Sequence, residues 1–287
     1  MAKVSATPKL STMKYRVVKP LGNGAGSTIL EISDKTAGGK RYALKVVKRQ
    51  DADDDVYIEQ ARTEYEVAQK LNHPAIARIY DLRQKRSWFR LSGVELLMEY
   101  VEGKTLDEIE APDINQLLLM FCQVASALSH MHRRGVFHGD MKPQNIMLSK
   151  TGQVKLIDFG TCWIRGQNKD RVQGTPQYIA PETASEKIVD ARSDVYNLGA
   201  TMYRMFTGRF ANQGIPKPGE TRKIPAPTQL NKKIPAQLSE LIMACLDLTP
   251  DKRPGSMFDI QHKLVEIAKS LGLSPEEDLK GSDDDED

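Results

Sequence analysis

The chain has 287 residues, 40% hydrophobic and 28% charged, which is the composition of a folded protein long enough for one large domain or two lobes. No apolar run is as long as a membrane-spanning helix, and residues 1–13 lack the apolar core of a secretory signal. Three widely spaced cysteines form neither a metal-binding pattern nor a disulfide framework, so we expect a reducing, cytoplasmic compartment.

The charge is distributed unevenly along the chain. The net charge is +3, but residues 271–287 hold eight acids against Lys280 and carry −7, so the other 270 residues carry +10. A basic body suits phosphate-bearing ligands, although it would also attract nucleic acid weakly. The acidic segment 270–287 is predicted to be a disordered tail, either for solubility or as an autoinhibitory strand.

The segment from 15 to 101 is predicted to be rich in strands, with one helix. Alternating apolar residues and turn signals indicate an antiparallel sheet. A helix is expected at 57–71, because acidic residues precede it and Asn72-His73-Pro74 ends it. The predicted strands are 15–21, 28–32, 42–47, 76–82 and 94–101.

From residue 102 onward the apolar spacing becomes helical. Asp113 is expected to cap a helix that ends at Gly135. Further helices are expected from about 193 to 208 and over 236–246 and 255–269, whereas four prolines argue against a helix in the basic segment 211–233. The pattern predicts an α+β fold with a small sheet-rich lobe, 15–101, and a larger helical lobe, 102–269. Residues 1–14 form an N-terminal extension in this prediction.

A glycine-rich turn lies between the first two predicted strands, at Gly22-Asn23-Gly24-Ala25-Gly26-Ser27. Glycines let the backbone approach phosphates, but such a turn alone is equally typical of a structural hairpin. The apolar strand that follows carries Lys45. If Lys45 faces inward it needs an acidic partner, for which Glu64 on the predicted helix is the candidate and Glu66 the rival.

The most informative stretch runs from His138 to Asn145 and is followed by Asp158-Phe159-Gly160. Asp140 can accept a hydroxyl proton, and Asn145 and Asp158 can hold magnesium on ATP. Two short strands, 146–148 and 154–157, are predicted to form a hairpin that brings Asn145 and Asp158 side by side.

These motifs resemble the eukaryotic-type (Hanks-type) Ser/Thr protein kinase family, from about residue 15 to 269. The glycine turn, Ala43-x-Lys45, the helix glutamate and the catalytic loop occur in family order. So do Asp158-Phe159-Gly160, residues 174–182 (Gly-Thr-Pro-x-Tyr-x-Ala-Pro-Glu), Asp194 and Arg253. The resemblance implies a two-lobed protein-kinase-like fold, ATP and Mg²⁺ as cofactors, and transfer of the γ-phosphoryl group to Ser/Thr hydroxyls of proteins.

The resemblance also implies a role for each matching residue. Asp140 would orient the acceptor hydroxyl, Lys142 would stabilise the γ-phosphoryl charge, and Lys45, held by Glu64, would contact the α- and β-phosphates. Asn145 and Asp158 would bind Mg²⁺. Glu182 would pair with Arg253 and Asp194 would anchor the catalytic loop. The nucleotide-binding positions would be Leu21, Gly22, Asn23, Gly24, Ala25, Gly26, Ser27, Ile29, Ala43, Lys45, Met98, Glu99, Val101 and Met147.

The chain departs from the family pattern at Gly139, where the family usually has an arginine that receives a phosphate on the activation segment. No Ser, Thr or Tyr lies between Thr161 and Thr175. Both facts predict a kinase that needs no activation-loop phosphorylation. In the alternative, phosphorylated Thr161 or Thr175 would meet Arg165 or Lys169. Cys162 is expected to be a buried cysteine rather than an oxidation-sensitive thiol.

Two other functions stay open. Small-molecule kinases such as aminoglycoside phosphotransferases use His-Gly-Asp, but they generally lack the 174–182 segment and a lysine equivalent to Lys142. A pseudokinase scaffold would bind nucleotide without turnover, although Lys45, Glu64, Asp140, Asn145 and Asp158 are all present. We expect protein substrates, no requirement for nucleic acid, no membrane span and a monomer.

Overall fold

The computed structural model describes residues 7–24, 26–110, 112–167, 174–212, 214 and 224–275. The chain forms two compact units. Unit 1 comprises the residues up to Asn72 together with Ala77–Glu102, and unit 2 comprises His73–Ile76 together with the residues from Gly103 onward.

Unit 1 is an antiparallel five-stranded sheet with one helix, as predicted. The strand order is β1-β2-β3-β5-β4, so β3 is central and the hairpin of β4 and β5 closes one side. The elements are β1 (Tyr15–Gly24), β2 (Ser27–Asp34), β3 (Arg41–Lys48), α1 (Asp55–Ala68), β4 (Ile79–Ser87) and β5 (Arg90–Glu99). The fourth strand begins at Ile79, three residues later than predicted. Ile76, the predicted first residue, belongs to unit 2 and forms a β-bridge with Leu156 there.

Residues 7–14, which precede the predicted kinase domain, pack onto the sheet of unit 1. Leu10 is 1% exposed and lies in a cluster with Ile32, Tyr42, Leu44 and Leu97. Its N–H donates to the Asp81 carboxylate at 2.7 Å, and its carbonyl accepts from Arg83 at 3.1 Å. Burying a leucine in this way contributes roughly 1.5–3 kcal/mol. This segment is therefore part of the core of unit 1.

Unit 2 is mainly helical. Its elements are β6 (Gly103–Thr105), α2 (Ile114–Arg133), β7 (Val136–Phe137), β8 (Ile146–Ser149), β9 (Val154–Leu156), β10 (Trp163–Ile164), α3 (Pro181–Glu186), α4 (Ala191–Thr207), α5 (Pro227–Leu230), α6 (Ala236–Cys245) and α7 (Met257–Ser270). As predicted, Asp113 caps α2, since its carboxylate accepts from the backbone N–H groups of Asn115 and Gln116. Gly135, at a φ of +70°, follows the end of that helix.

The predicted hairpin between the catalytic loop and Asp158 is present. Strands β8 and β9 pair antiparallel, and β6 lies on the other side of β8. Beyond the paired strands, the N–H of Ile157 donates to the carbonyl of Asn145 at 3.0 Å. The hairpin therefore brings Asn145 next to the residue that precedes Asp158.

The prolines of 211–233 were expected to exclude a helix, but among the described residues of that segment 227–230 form the short helix α5, whose first residue is Pro227. Proline is tolerated at that position because its missing N–H would have no partner there. Residues 213 and 215–223 of this segment, and the acidic tail 276–287, lie outside the described residues. Within the described part of the chain, no helix has the length and apolarity needed to cross a membrane.

Candidate active site

The glycine-rich turn joins β1 to β2, as predicted. Asn23 pairs with Thr28 and Gly24 with Ser27 across the hairpin, while the predicted nucleotide-binding residue Ala25 lies outside the described residues. Gly26 adopts a φ of +65°, and a Cβ atom there would lie 2.1 Å from the ring of Tyr57. The aromatic ring of α1 thus occupies the space that a side chain at residue 26 would need.

Lys45 and Glu64 form an ion pair inside unit 1. Lys45 Nζ lies 2.7 Å from Glu64 Oε2, and the two side chains are only 15% and 3% exposed. The rival, Glu66, contacts Lys70 at 4.0 Å. The carboxylate partner holds the half-buried ammonium group in a fixed position, which is what contact with phosphate oxygens requires.

Several predicted nucleotide-binding residues of unit 1 lie on neighbouring strands. In the register of the sheet, Ile29 is opposite Lys45 and Ala43 is opposite Met98. Ala43 and Lys45 are two residues apart on β3, so they face the same side of the sheet. The other positions predicted for the nucleotide are Leu21 and Gly22 on β1, Glu99 and Val101 at the end of β5, and Met147 on β8 of unit 2.

Asp140, Lys142 and Thr175 form a hydrogen-bonded cluster in unit 2. Lys142 Nζ lies 2.6 Å from Asp140 Oδ2 and 2.9 Å from Thr175 Oγ1. The backbone N–H of Thr175 donates to Asp140 Oδ1 at 2.8 Å. Both carboxylate oxygens of Asp140 are therefore held in place, beside a cation that can stabilise negative charge. This role of Thr175 was not predicted; its position in a Gly-Thr-Pro segment was the only signal.

Asp194 holds the backbone of the catalytic loop, in agreement with the prediction. Its two oxygens accept from the N–H groups of His138 and Gly139, each at 2.8 Å. His132 Nε2 also lies 2.8 Å from the Asp194 carboxylate, a contact that no sequence pattern indicated. Burial raises the pKa of Asp194, but the hydrogen bonds from His132 and Gly139 outweigh it and hold the pKa below its ordinary value. Asp194 is therefore an ionised anchor.

The candidate magnesium ligands, Asn145 and Asp158, lie at the same end of the β8–β9 hairpin. Asn145 Nδ2 donates to the carbonyl of Asp140 at 2.7 Å, which leaves the amide oxygen as the atom suited to a cation. Asp158 adopts a φ of +66°, a left-handed conformation that costs free energy for a residue with a side chain and that clusters at functional sites. An amide oxygen and a carboxylate are ligands that Mg²⁺ prefers, so these residues fit that ion.

His138 is completely buried next to this cluster. Burial lowers the pKa of its imidazole, and its ring lies 6.2 Å from the ring of Phe159. The Nε2 atom has no hydrogen-bond partner among the described residues. A neutral imidazole in this place packs the Asp158-Phe159-Gly160 segment against the catalytic loop.

Glu182 and Arg253 form the predicted ion pair. Two guanidinium nitrogens of Arg253 donate to the two Glu182 oxygens at 2.7 and 2.8 Å. The same guanidinium donates to the carbonyls of Asp247 and Arg192, and Ser193 donates to Glu182 at 3.0 Å. The pair fixes the end of the 174–182 segment to the helices of unit 2.

The described part of the activation segment, 161–167 and 174–182, contains the two threonines proposed as phosphorylation sites in the alternative reading. Thr161 Oγ1 donates to the His138 carbonyl at 3.4 Å, and Thr175 Oγ1 accepts from Lys142. Arg165 stacks over the Phe137 ring at 5.7 Å. Lys169 lies outside the described residues. Cys162 is fully buried, in keeping with the prediction of a buried cysteine.

Comparison with known proteins identifies the family. Residues 15–265 match the family model described as "Protein kinase domain". The chain is 32% identical, over 91% of its length, to a protein of Streptomyces coelicolor named "Probable serine/threonine-protein kinase". It is 30% identical over 91% of its length to serine/threonine-protein kinase PknB of Mycolicibacterium smegmatis. It is 32% identical over 84% to PknA of Mycobacterium tuberculosis.

The matched regions cover only part of those relatives. The chain spans 40%, 44% and 58% of the length of the Streptomyces, Mycolicibacterium and Mycobacterium proteins. The family match nevertheless includes both the glycine turn and the catalytic loop, and it confirms the resemblance read from the motifs. The chain therefore belongs to the protein kinase domain family.

Proposed function

We propose that this chain is an ATP- and Mg²⁺-dependent protein kinase that transfers the γ-phosphoryl group to serine and threonine hydroxyls. The observation that carries the proposal is the cluster in which Lys142 and the backbone of Thr175 hold the Asp140 carboxylate. Phosphoryl transfer needs a base close to the acceptor hydroxyl and a cation close to the transferred group. Asp140 and Lys142 supply these two parts within 2.6 Å of each other.

The role of each residue is the one that the protein kinase family implies for its position, and the chemistry of each side chain suits it. Asp140 receives the proton of the acceptor hydroxyl, and Lys142 stabilises the charge on the transferred group. Lys45, held by Glu64, binds the α- and β-phosphates. Asn145 and Asp158 hold Mg²⁺, which neutralises the phosphate oxygens when it is bound.

A groove in unit 2 supports a peptide acceptor. It has a volume of about 510 Å³, and its lining includes Pro143 and Gln144 from the catalytic loop and Tyr178 from the 174–182 segment. Arg204, whose guanidinium stacks over Phe210 at 4.4 Å, also lines it. Its lining holds one acid, Asp107, against the cation Arg204, so the groove carries no net negative charge that would select acceptors with arginine.

We further propose that transfer does not require phosphorylation of the activation segment. Thr175 is already engaged by Lys142, so the Asp140 cluster is complete without a phosphate. Gly139 supplies no cation to reward such a modification. The preference for serine and threonine rests on Lys142, on the Gly-Thr-Pro segment and on the names of the relatives.

The test is incubation of the purified chain with Mg²⁺ and γ-labelled ATP, with and without a generic protein acceptor, followed by phosphoamino-acid analysis. We expect label on phosphoserine or phosphothreonine. It should be lost in Asp140→Asn, in Asp158→Asn and after chelation of Mg²⁺, but kept in the exposed control Asp251→Asn. ATP binding without transfer to any acceptor would favour a pseudokinase. Label on an aminoglycoside but on no protein would favour a small-molecule kinase.

Activation is tested separately, with chain made free of phosphate by phosphatase treatment. We expect the initial rate of transfer to be the same before and after treatment, with no lag. A lag before transfer begins, which becomes shorter as Thr161 or Thr175 is phosphorylated, would overturn this part of the proposal.

A further inference from the structure

Two adjacent aromatic residues stand almost fully exposed at the tip of the β4–β5 hairpin. Trp88 is 93% exposed and Phe89 is 95% exposed, whereas the next most exposed large hydrophobic side chain among the described residues, Phe258, is 57% exposed. Ser87 pairs with Arg90, so the loop consists of these two residues alone. No described residue of unit 1 covers them. We call this pair the hairpin tip.

The backbone at the hairpin tip is also unfavourable for its sequence. Trp88 has a φ of +56°, in a position of a two-residue hairpin loop where glycine is preferred. A tryptophan there lowers stability relative to glycine and buries no apolar surface in return. Folding of unit 1 thus gives no reason for a tryptophan at this position.

The flanking residues are basic. Arg83, Lys85, Arg86 and Arg90 surround the hairpin tip in the sequence, and no acid occurs between residues 82 and 94. Arg83 and Lys85 share a single carboxylate, that of the buried Glu95. Arg86 and Arg90 are exposed on either side of the tip. Four cations against one carboxylate make the end of this hairpin positively charged.

We propose that the hairpin tip inserts into the interfacial layer of an anionic lipid bilayer and docks unit 1 on a membrane surface. Tryptophan favours the boundary between lipid headgroups and acyl chains, and neighbouring arginines are attracted to anionic lipids. A convex tip of two side chains is too small for a stable protein–protein interface, which buries at least about 1,200 Å² in total. A bilayer instead accepts a protruding aromatic pair without a complementary groove. The inference goes beyond the proposed kinase function and does not depend on it.

The experiment is co-sedimentation of the full chain with vesicles of phosphatidylcholine alone and of phosphatidylcholine mixed with phosphatidylserine. We expect binding to the mixed vesicles only, weakening as salt is raised. Removing both aromatics, in Trp88→Ser/Phe89→Ser, should lower the partition coefficient by at least about tenfold. Removing two cations, in Arg86→Gln/Arg90→Gln, should lower it by up to about thirtyfold.

Two further variants separate docking from folding. Phe258→Ser removes an exposed aromatic side chain on α7, so it should bind vesicles like the unaltered chain. Trp88→Gly should raise the unfolding temperature, because glycine suits the positive φ, while it lowers vesicle binding. Equal binding to both kinds of vesicle, or unaltered binding by the Trp88→Ser/Phe89→Ser variant, would overturn the proposal. So would failure of the unaltered chain to bind the mixed vesicles at low salt.

Discussion

The ion pair between Glu182 and Arg253 allows the sharpest prediction about stability. The Arg253 side chain is 0% exposed and that of Glu182 is 9% exposed. Arg253→Met would leave the Glu182 carboxylate buried, with the hydrogen bond from the Ser193 hydroxyl but without its cation. It would also leave the carbonyls of Asp247 and Arg192 without the guanidinium. The substitution therefore leaves a buried carboxylate, that of Glu182, without its positively charged partner.

The expected cost is about 3–5 kcal/mol, the range found when one partner of a buried pair is removed. For a chain of this size, each kcal/mol lowers the unfolding midpoint by about 2–4 °C, so we expect a fall of about 6–20 °C. The measurement is thermal unfolding followed by circular dichroism at neutral pH.

A double-mutant cycle separates the pair from its surroundings. Glu182→Met/Arg253→Met should cost clearly less than the sum of the two single changes, because the double variant leaves no unpaired charge. The matched control is Asp251→Asn, which removes an ion pair with Arg192 whose Asp251 side chain is 82% exposed and should cost less than about 1 kcal/mol. A fall of less than about 1 kcal/mol for Arg253→Met, or additive single changes, would refute the reasoning.

Three other predictions follow from single contacts. Thr175→Val removes the hydroxyl that Lys142 contacts, so it should lower kcat while leaving KM for ATP nearly unchanged. An unaltered kcat would mean that the threonine does not position Lys142. Gly139 has a φ of +75°, and a Cβ atom there would meet no atom closer than 3.5 Å. Gly139→Ala should therefore lower the free energy of unfolding by about 1–2 kcal/mol through backbone strain alone, as measured by denaturant titration. An unchanged free energy of unfolding would contradict this reasoning. Burial lowers the pKa of His73 to about 4, and its Nδ1 accepts from the N–H of Ala75, so the folded state holds it neutral. The neutral imidazole therefore contributes fully to stability above the ordinary pKa of about 6.5. As pH falls from there toward 4, the free energy of unfolding should decrease by up to about 1.4 kcal/mol per pH unit. His73→Gln should make the free energy of unfolding less dependent on pH over this range.

The order of motifs made much of the candidate site predictable. The strand that carries Lys45 and the helix that carries Glu64 were readable from local apolar spacing, and a buried lysine requires an acidic partner. The same reasoning identified the β8–β9 hairpin and its neighbouring Asn145. Secondary structure of this kind depends on residues close in sequence, which is why it could be read without a structure.

Other parts of the site depend on contacts between distant residues. The N–H of Thr175 reaches Asp140 across 35 positions, and His132 reaches Asp194 across 62. Neither contact follows from a local pattern. The pairing of Asp194 with the catalytic loop was expected only because the family resemblance implied it.

By itself, the sequence determined the fold class, the order of the longer strands and helices and the residue types that phosphoryl transfer requires. Only the tertiary structure decided that Leu10 belongs to the core of unit 1, that Tyr57 lies against Gly26 and that Trp88 is exposed at a positive φ. Periodicity reports which face of an element is apolar, because it reflects the repeat of one helix or strand. It does not report which distant residue meets that face, because that is decided by the packing of all elements together.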